Sequence, residues 1–127
     1  MMTRRLTYAA LLLTAACGST SPTPPTYTVS YQVFGSPSLR CDSVKYENAQ
    51  GVIVKVVHPG IYWSVAYEVP TGSYLWASAW IVATASGDTA KLKATWTIPG
   101  VSTASDSSFG APTAPGAFAL EVSRRQL

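Results

Sequence analysis

Few side chains in this sequence are placed to do chemistry, and their spacing narrows what they can do. The 127 residues hold six carboxylates, one histidine and two cysteines. Asp42, Glu47, Glu68, Asp88, Asp106 and Glu121 are scattered through turns and polar strand faces. No two of them have a spacing that makes a local acid pair for general acid–base work. His58 precedes Pro59 at a strand end and reads as a turn histidine making one backbone hydrogen bond. One His and one Cys outside the N-terminal segment leave little room for a zinc centre. No D-x-D-x-D-G series offers calcium a cage. A nucleophile elbow, a phosphate-cradling glycine loop and H-E-x-x-H are all missing. The expectation is a non-enzymatic protein without metal or cofactor.

Cys17 is the residue with the clearest chemistry. It follows directly on Leu6 to Ala16, an apolar run of eleven residues behind the positive Met1-Met2-Thr3-Arg4-Arg5. As a helix that run spans about 16 Å, short of the ~30 Å hydrocarbon core, so a cleaved export signal is expected over 1–16. Leu12-Leu13-Thr14-Ala15-Ala16-Cys17 resembles the lipobox of bacterial lipoproteins, with small residues before the cysteine and Thr14 where that family usually has Leu. The resemblance implies cleavage before Cys17 and acylation of its sulfur. A thiol suits the step because it is the nucleophile that forms a stable thioether with a diacylglycerol. Two or more chains give stable anchoring where one is marginal. By the same resemblance, Gly18 after the cysteine, rather than Asp, favours the outer membrane. The expected partners are the membrane, through the N-terminal lipid, and another envelope protein.

Residues 17–26 then form the lipidated cysteine and a tether. Gly18 to Thr26 has no large apolar residue and three prolines, which favours an extended spacer of about 3.1 Å per residue. Loss of Arg4 and Arg5 with the leader leaves seven basic and six acidic side chains, a net of +1. That balance argues against nucleic acid as a partner, which calls for a basic patch or stripe. The charged fraction of 12% beside 47% hydrophobic residues excludes a highly charged disordered chain.

A folded domain is expected over 27–127. Tyr27-Val29-Tyr31-Val33 and Ile61-Trp63-Val65-Tyr67-Val69 alternate with small or polar residues, as do Val44-Tyr46, Leu92-Ala94-Trp96-Ile98 and Phe118-Leu120-Val122. Val52 to Val57 is a β-branched run, and Tyr74 to Ala85 is apolar on both faces. Gly35-Ser36-Pro37, Asn48 to Gly51, His58-Pro59-Gly60, Pro70-Thr71-Gly72, Ser86-Gly87-Asp88 and Pro99-Gly100 separate these runs. Seven strands predict an all-β, antiparallel sandwich of immunoglobulin-like size, with a small barrel as the alternative. Val101 to Gly116 reads either as a long loop or as a weak edge strand near 102–107 followed by a loop.

The run Tyr31-Gln32-Val33-Phe34-Gly35, then Val44-Lys45-Tyr46-Glu47-Asn48-Ala49-Gln50-Gly51, resembles the Y-x-V-x-G and V-x-Y-x-N-x-x-G segments of the MmpS family and related small lipoproteins. Pro59 and Trp63 flank Gly60-Ile61-Tyr62 where that family has a Pro-Trp segment, and Gly72 precedes Tyr74-Leu75-Trp76-Ala77 as its later strand does. The resemblance covers most of 27–98. It implies a membrane-anchored β-sandwich and an accessory role beside a large transporter; the alternatives are a glycan-binding module using surface aromatics and a structural surface lipoprotein without a specific ligand. No site residue transfers with it, because the shared positions are turns and core.

Aromatic residues supply the candidate binding surface. Tyr74, Trp76 and Trp80 share one face of the 74–85 strand, with Trp76 and Trp80 two pleats apart at ~6.6–7 Å. Facing outward, they would stack on a sugar ring or centre a protein interface. Facing inward, the indoles fill the core and the small Ala face is covered by a neighbour, and this is the expected arrangement. Trp63 is expected in the core, and Tyr62 on the surface as the fourth candidate of the binding surface. Cys41, left without a partner once Cys17 is acylated, is expected as a buried free thiol, with an intermolecular disulfide as the alternative.

Overall fold

The computed structural model describes residues 25–98 and 100–127. The expectations for the leader, for Cys17 and for the tether through Pro24 lie outside the described residues, as does Pro99. Eight strands follow in order: β1 (Thr26–Gly35), β2 (Arg40–Glu47), β3 (Ile53–Val57), β4 (Trp63–Pro70), β5 (Tyr74–Ala83), β6 (Ala90–Ile98), β7 (Ser102–Gly110) and β8 (Gly116–Gln126). They form two four-stranded sheets, β4-β1-β6-β7 and β3-β2-β5-β8, with every pairing antiparallel. The chain is an all-β sandwich. Only β2–β3 and β6–β7 are joined as hairpins; every other connection crosses between sheets.

The alternation read in the sequence matches the strands. In β1 the residues Val29, Tyr31 and Val33 are buried while Gln32 and Phe34 are exposed. Period-2 burial of this kind is what a strand with one covered face imposes. Val44 from β2, Leu75 and Ile81 from β5, Leu92 from β6 and Leu120 and Val122 from β8 complete the centre of the core. Thr26, expected to end the tether, is already paired opposite Pro70, and Thr71 Oγ1 donates to the Pro25 carbonyl at 2.8 Å.

Three features depart from the expected pattern. The 101–116 segment contains a full strand, β7, paired with β6 from Ile98↔Ser102 to Ala90↔Gly110. Its sequence signal is weak because Ala104, Asp106, Ser108 and Gly110 are the residues on its inward side, and its one large apolar residue, Phe109, faces solvent. A bulge at Asp42 lets both Cys41 and Val44 point inward, so β2 begins four residues earlier than Val44. A second bulge sets Ser123 and Arg124 opposite Trp76.

That second bulge removes the Trp76 amide from the ladder. The Tyr31 hydroxyl, reaching across from the other sheet, accepts its N–H at 3.1 Å, so the buried amide keeps a partner as burial demands. Beyond the bulge, successive residues point to opposite faces. Arg124 turns outward to cover the Tyr74 ring at 3.7 Å, and Arg125 turns inward to lie 4.5 Å from the Trp96 ring and 3.6 Å from Asp106.

The two long sides of the sandwich differ. On one side β7 and β8 approach within 8 Å, and a Cβ on Gly110 would collide with the Phe118 ring. On the other side no Cα pair of β3 and β4 comes within 8 Å. There Tyr31, Tyr46, Tyr67 and Trp63 form a ring cluster with centroids 5.6–6.2 Å apart. The Tyr67 hydroxyl donates to the Glu47 carbonyl, tying β4 to β2 across the gap.

Candidate functional site

The outer face of the β3-β2-β5-β8 sheet carries three of the four aromatic candidates. In β5, Leu75, Ala77, Ala79, Ile81 and Ala83 are buried, and Tyr74, Trp76, Ser78, Trp80 and Val82 form the outward set. The indoles therefore do not fill the core, contrary to the sequence expectation. Small side chains on the inner face pack against the facing sheet, and the bulky set goes where space is open.

The three aromatics are not equivalent. Trp76 Nε1 donates to Glu121 Oε1 at 2.8 Å, so its polar edge is engaged. Tyr74 lies under Arg124, whose guanidinium donates from both Nε and a terminal nitrogen to the Glu47 carboxylate at 3.1 and 3.2 Å. Glu47 is only 4% exposed, so this two-point pair is what compensates its burial. Trp80 stands clear at 47% exposed. Tyr62, 70% exposed, is elsewhere: it precedes β4 in the other sheet and lines a depression with Gln32, Phe34 and Ser64. The structure thus brings Tyr74, Trp76 and Trp80 to one face and leaves Tyr62 apart.

Strand register builds the surroundings of Trp80. One cross-sheet row runs Val57, Ser43, Trp80, Ala119, and the next runs Lys55, Lys45, Ser78, Glu121. Ser43, Ser78 and Ala119 give a low floor, with the indole on one side and the two lysines on the other. They bound a shallow cleft of about 320 Å³. No sequence pattern points to this set, because it depends on pairing between strands distant in the chain.

A second feature that sequence reasoning missed lies at one end of the other sheet. Phe34 is opposite Lys91, and Lys91 is opposite Phe109. With Tyr62 beside Phe34, an exposed aromatic row crosses the sheet. It sits about 26 Å along β1 from Thr26, at ~3.3 Å per residue.

Among the described residues, most carboxylates are held by partners: Asp42 by Arg40 at 2.7 Å, Glu47 by Arg124, Asp106 by Arg125, Asp88 by the Ser38 hydroxyl at 2.8 Å, and Glu121 by Trp76. His58 is exposed, at φ 52°, and its backbone N–H donates to the Asp42 carbonyl at 2.8 Å, the turn role expected of it. Cys41 is a buried free thiol, its Sγ 3.6 Å from the Ser43 carbonyl, and burial pushes its pKa up to about 11. A thiol held neutral in this way is a poor nucleophile. Burial likewise raises the Tyr31 and Tyr67 hydroxyls above their ordinary range.

Comparison with protein-family models, with curated proteins and with solved structures finds no match to this chain.

Proposed function

We propose that this protein is a non-enzymatic binding module of the bacterial envelope, anchored through an acylated Cys17, which holds a saccharide on the outer face of the β3-β2-β5-β8 sheet. The observation that carries the reading is the outward Trp80 indole, exposed above small Ser and Ala neighbours on a sheet face. An aromatic plane with apolar character and low neighbours suits the C–H face of a pyranose ring. The lipobox resemblance supports the anchor, and the leader and tether composition support export.

The test is titration of the full-length chain, purified in detergent, with a panel of envelope oligosaccharides while following tryptophan emission. Binding that shifts the emission and is lost in Trp80→Ala, with unchanged Tm, supports the reading. A panel that leaves both emission and calorimetric heat unchanged overturns it. Mass spectrometry of the mature N-terminus tests the anchor: an acylated Cys17 is expected, and an unmodified one removes the lipid from the proposal.

A second reading is an accessory role beside another envelope protein, as the MmpS resemblance implies. The exposed rings of Tyr62, Phe34 and Phe109, with Lys91 between the two phenylalanines, favour it, because exposed aromatic residues are enriched at interfaces. Enrichment of one transporter by the tagged wild-type chain, weakened by Phe34→Ser and Phe109→Ser, is the expected outcome. Recovery of the chain alone from native membranes sinks it.

A further inference from the structure

The cleft beside Trp80 has a charge as well as a stacking plane. Lys45 and Lys55 are directly opposite one another on β2 and β3. Like charges in that relation destabilise a sheet. Neither lysine has a carboxylate within salt-bridge distance among the described residues; the ion pairs there are Arg40–Asp42, Arg124–Glu47 and Arg125–Asp106. The acid in the same row, Glu121, is separated from Lys45 by Ser78 and is taken up by the Trp76 indole. Lys45, Lys55 and the exposed Trp80 indole therefore line one cleft over Ser43, Ser78 and Ala119.

We propose that this cleft recognises a uronic-acid unit of an acidic glycan, its ring on the Trp80 indole and its carboxylate between the Lys45 and Lys55 ammonium groups. The inference rests on the saccharide reading given above and adds the charge of the ligand. Charge complementarity selects the anion: a carboxylate between the lysines relieves their mutual repulsion and supplies an opposite charge that neither has from the described residues. The shallow shape selects a polymer. A cleft that does not enclose its ligand leaves a small molecule mostly solvated, whereas a chain crossing the sheet face gains contacts on either side of the bound unit.

The test uses hexamers of galacturonate, mannuronate and hyaluronan, each beside its carboxyl-reduced neutral form, titrated into the full-length chain in detergent at low salt. At least one acidic hexamer is expected to bind about tenfold more tightly than its reduced form, the effect of two partly exposed charge contacts. That preference shrinks as salt rises to ~0.5 M and vanishes in Lys45→Gln/Lys55→Gln, while Trp80→Ala loses both forms. Equal binding of acidic and reduced hexamers, with loss in Trp80→Ala, overturns the uronate inference and leaves the stacking reading standing. Absence of binding by every hexamer overturns the uronate inference, and the saccharide reading then stands or falls with the envelope-oligosaccharide titration described above. Thermal melts of each variant separate lost recognition from lost folding.

Discussion

On the β7/β8 side the sheets meet through small residues, with Gly110 clearing space for Phe118 and Arg125 reaching over Trp96 to Asp106. On the β3/β4 side the backbones stay apart, and Tyr31, Tyr46, Tyr67 and Trp63 fill the gap with rings. The difference shows that one sandwich can be sealed in two ways. Where edge strands converge, the constraint is steric, and the inward residues of β7 are small so that Phe118 and Trp96 fit beside them. Where they splay, volume has to be supplied, and aromatic rings supply about 150–250 Å² of buried surface each.

The sharpest way to break this contrast is Tyr31→Ala. Tyr31 is fully buried, touches the Tyr46 and Tyr67 rings and holds the Trp76 amide. A loss of about 3–5 kcal/mol is expected, read as a fall in Tm of more than ~12 °C at ~4 °C or more per kcal/mol. Gly110→Ala attacks the other side. Its new methyl collides with Phe118, and a cost of about 1–3 kcal/mol is expected in a denaturant melt. Phe118→Leu in the same chain should recover part of it; a silent Gly110→Ala would mean that this side is not tightly closed.

Tyr67→Phe keeps the ring and removes only the hydroxyl bonded to the Glu47 carbonyl. About 1 kcal/mol is expected. Alkali probes the buried thiol and hydroxyls. The Cys41 thiol rises from 9.0 to about 11 on burial, and Tyr31 and Tyr67 are raised as well. Each is neutral in the folded state while the unfolded chain releases its proton first. Their contribution is therefore complete below pH ~9 and falls as pH climbs through about 11. Melts at pH 8, 9.5 and 10.5 should show declining stability, with a shallower fall in Cys41→Ala relative to its own value at pH 8. Arg125→Ala is the mildest change. Its contact with Asp106 is 3.6 Å long and partly exposed, and less than ~1 kcal/mol is expected.

The same contrast governs what could be read from the sequence. The ring-filled side uses large residues in strict alternation, so Tyr27 to Val33 and Ile61 to Val69 were legible as strands. The small-residue side depends on Ala104, Asp106, Ser108 and Gly110, which carry no apolar stripe, so β7 could be read only as a loop or a weak edge. In β5 both faces are apolar and periodicity has no preference. Size decides there: alanines face the opposite sheet and tryptophans face out. The single residues Trp80 and Tyr62 were therefore legible as candidates. Their separation, and the gathering of Lys45 and Lys55 beside Trp80, follow from register and from the bulges at Asp42 and Ser123/Arg124.

Lys55 also sits in the middle of a five-residue strand whose outer edge is unpaired. Two molecules meeting in antiparallel fashion about that midpoint would set Lys55 against Lys55, with Lys45 one strand further in on each copy. The repulsion falls at the register that would otherwise align Ile53 and Val57 of each chain with the other. At high concentration such molecules resist growing into a continuous ribbon, and the strand stays available as an edge without becoming a seed for fibres.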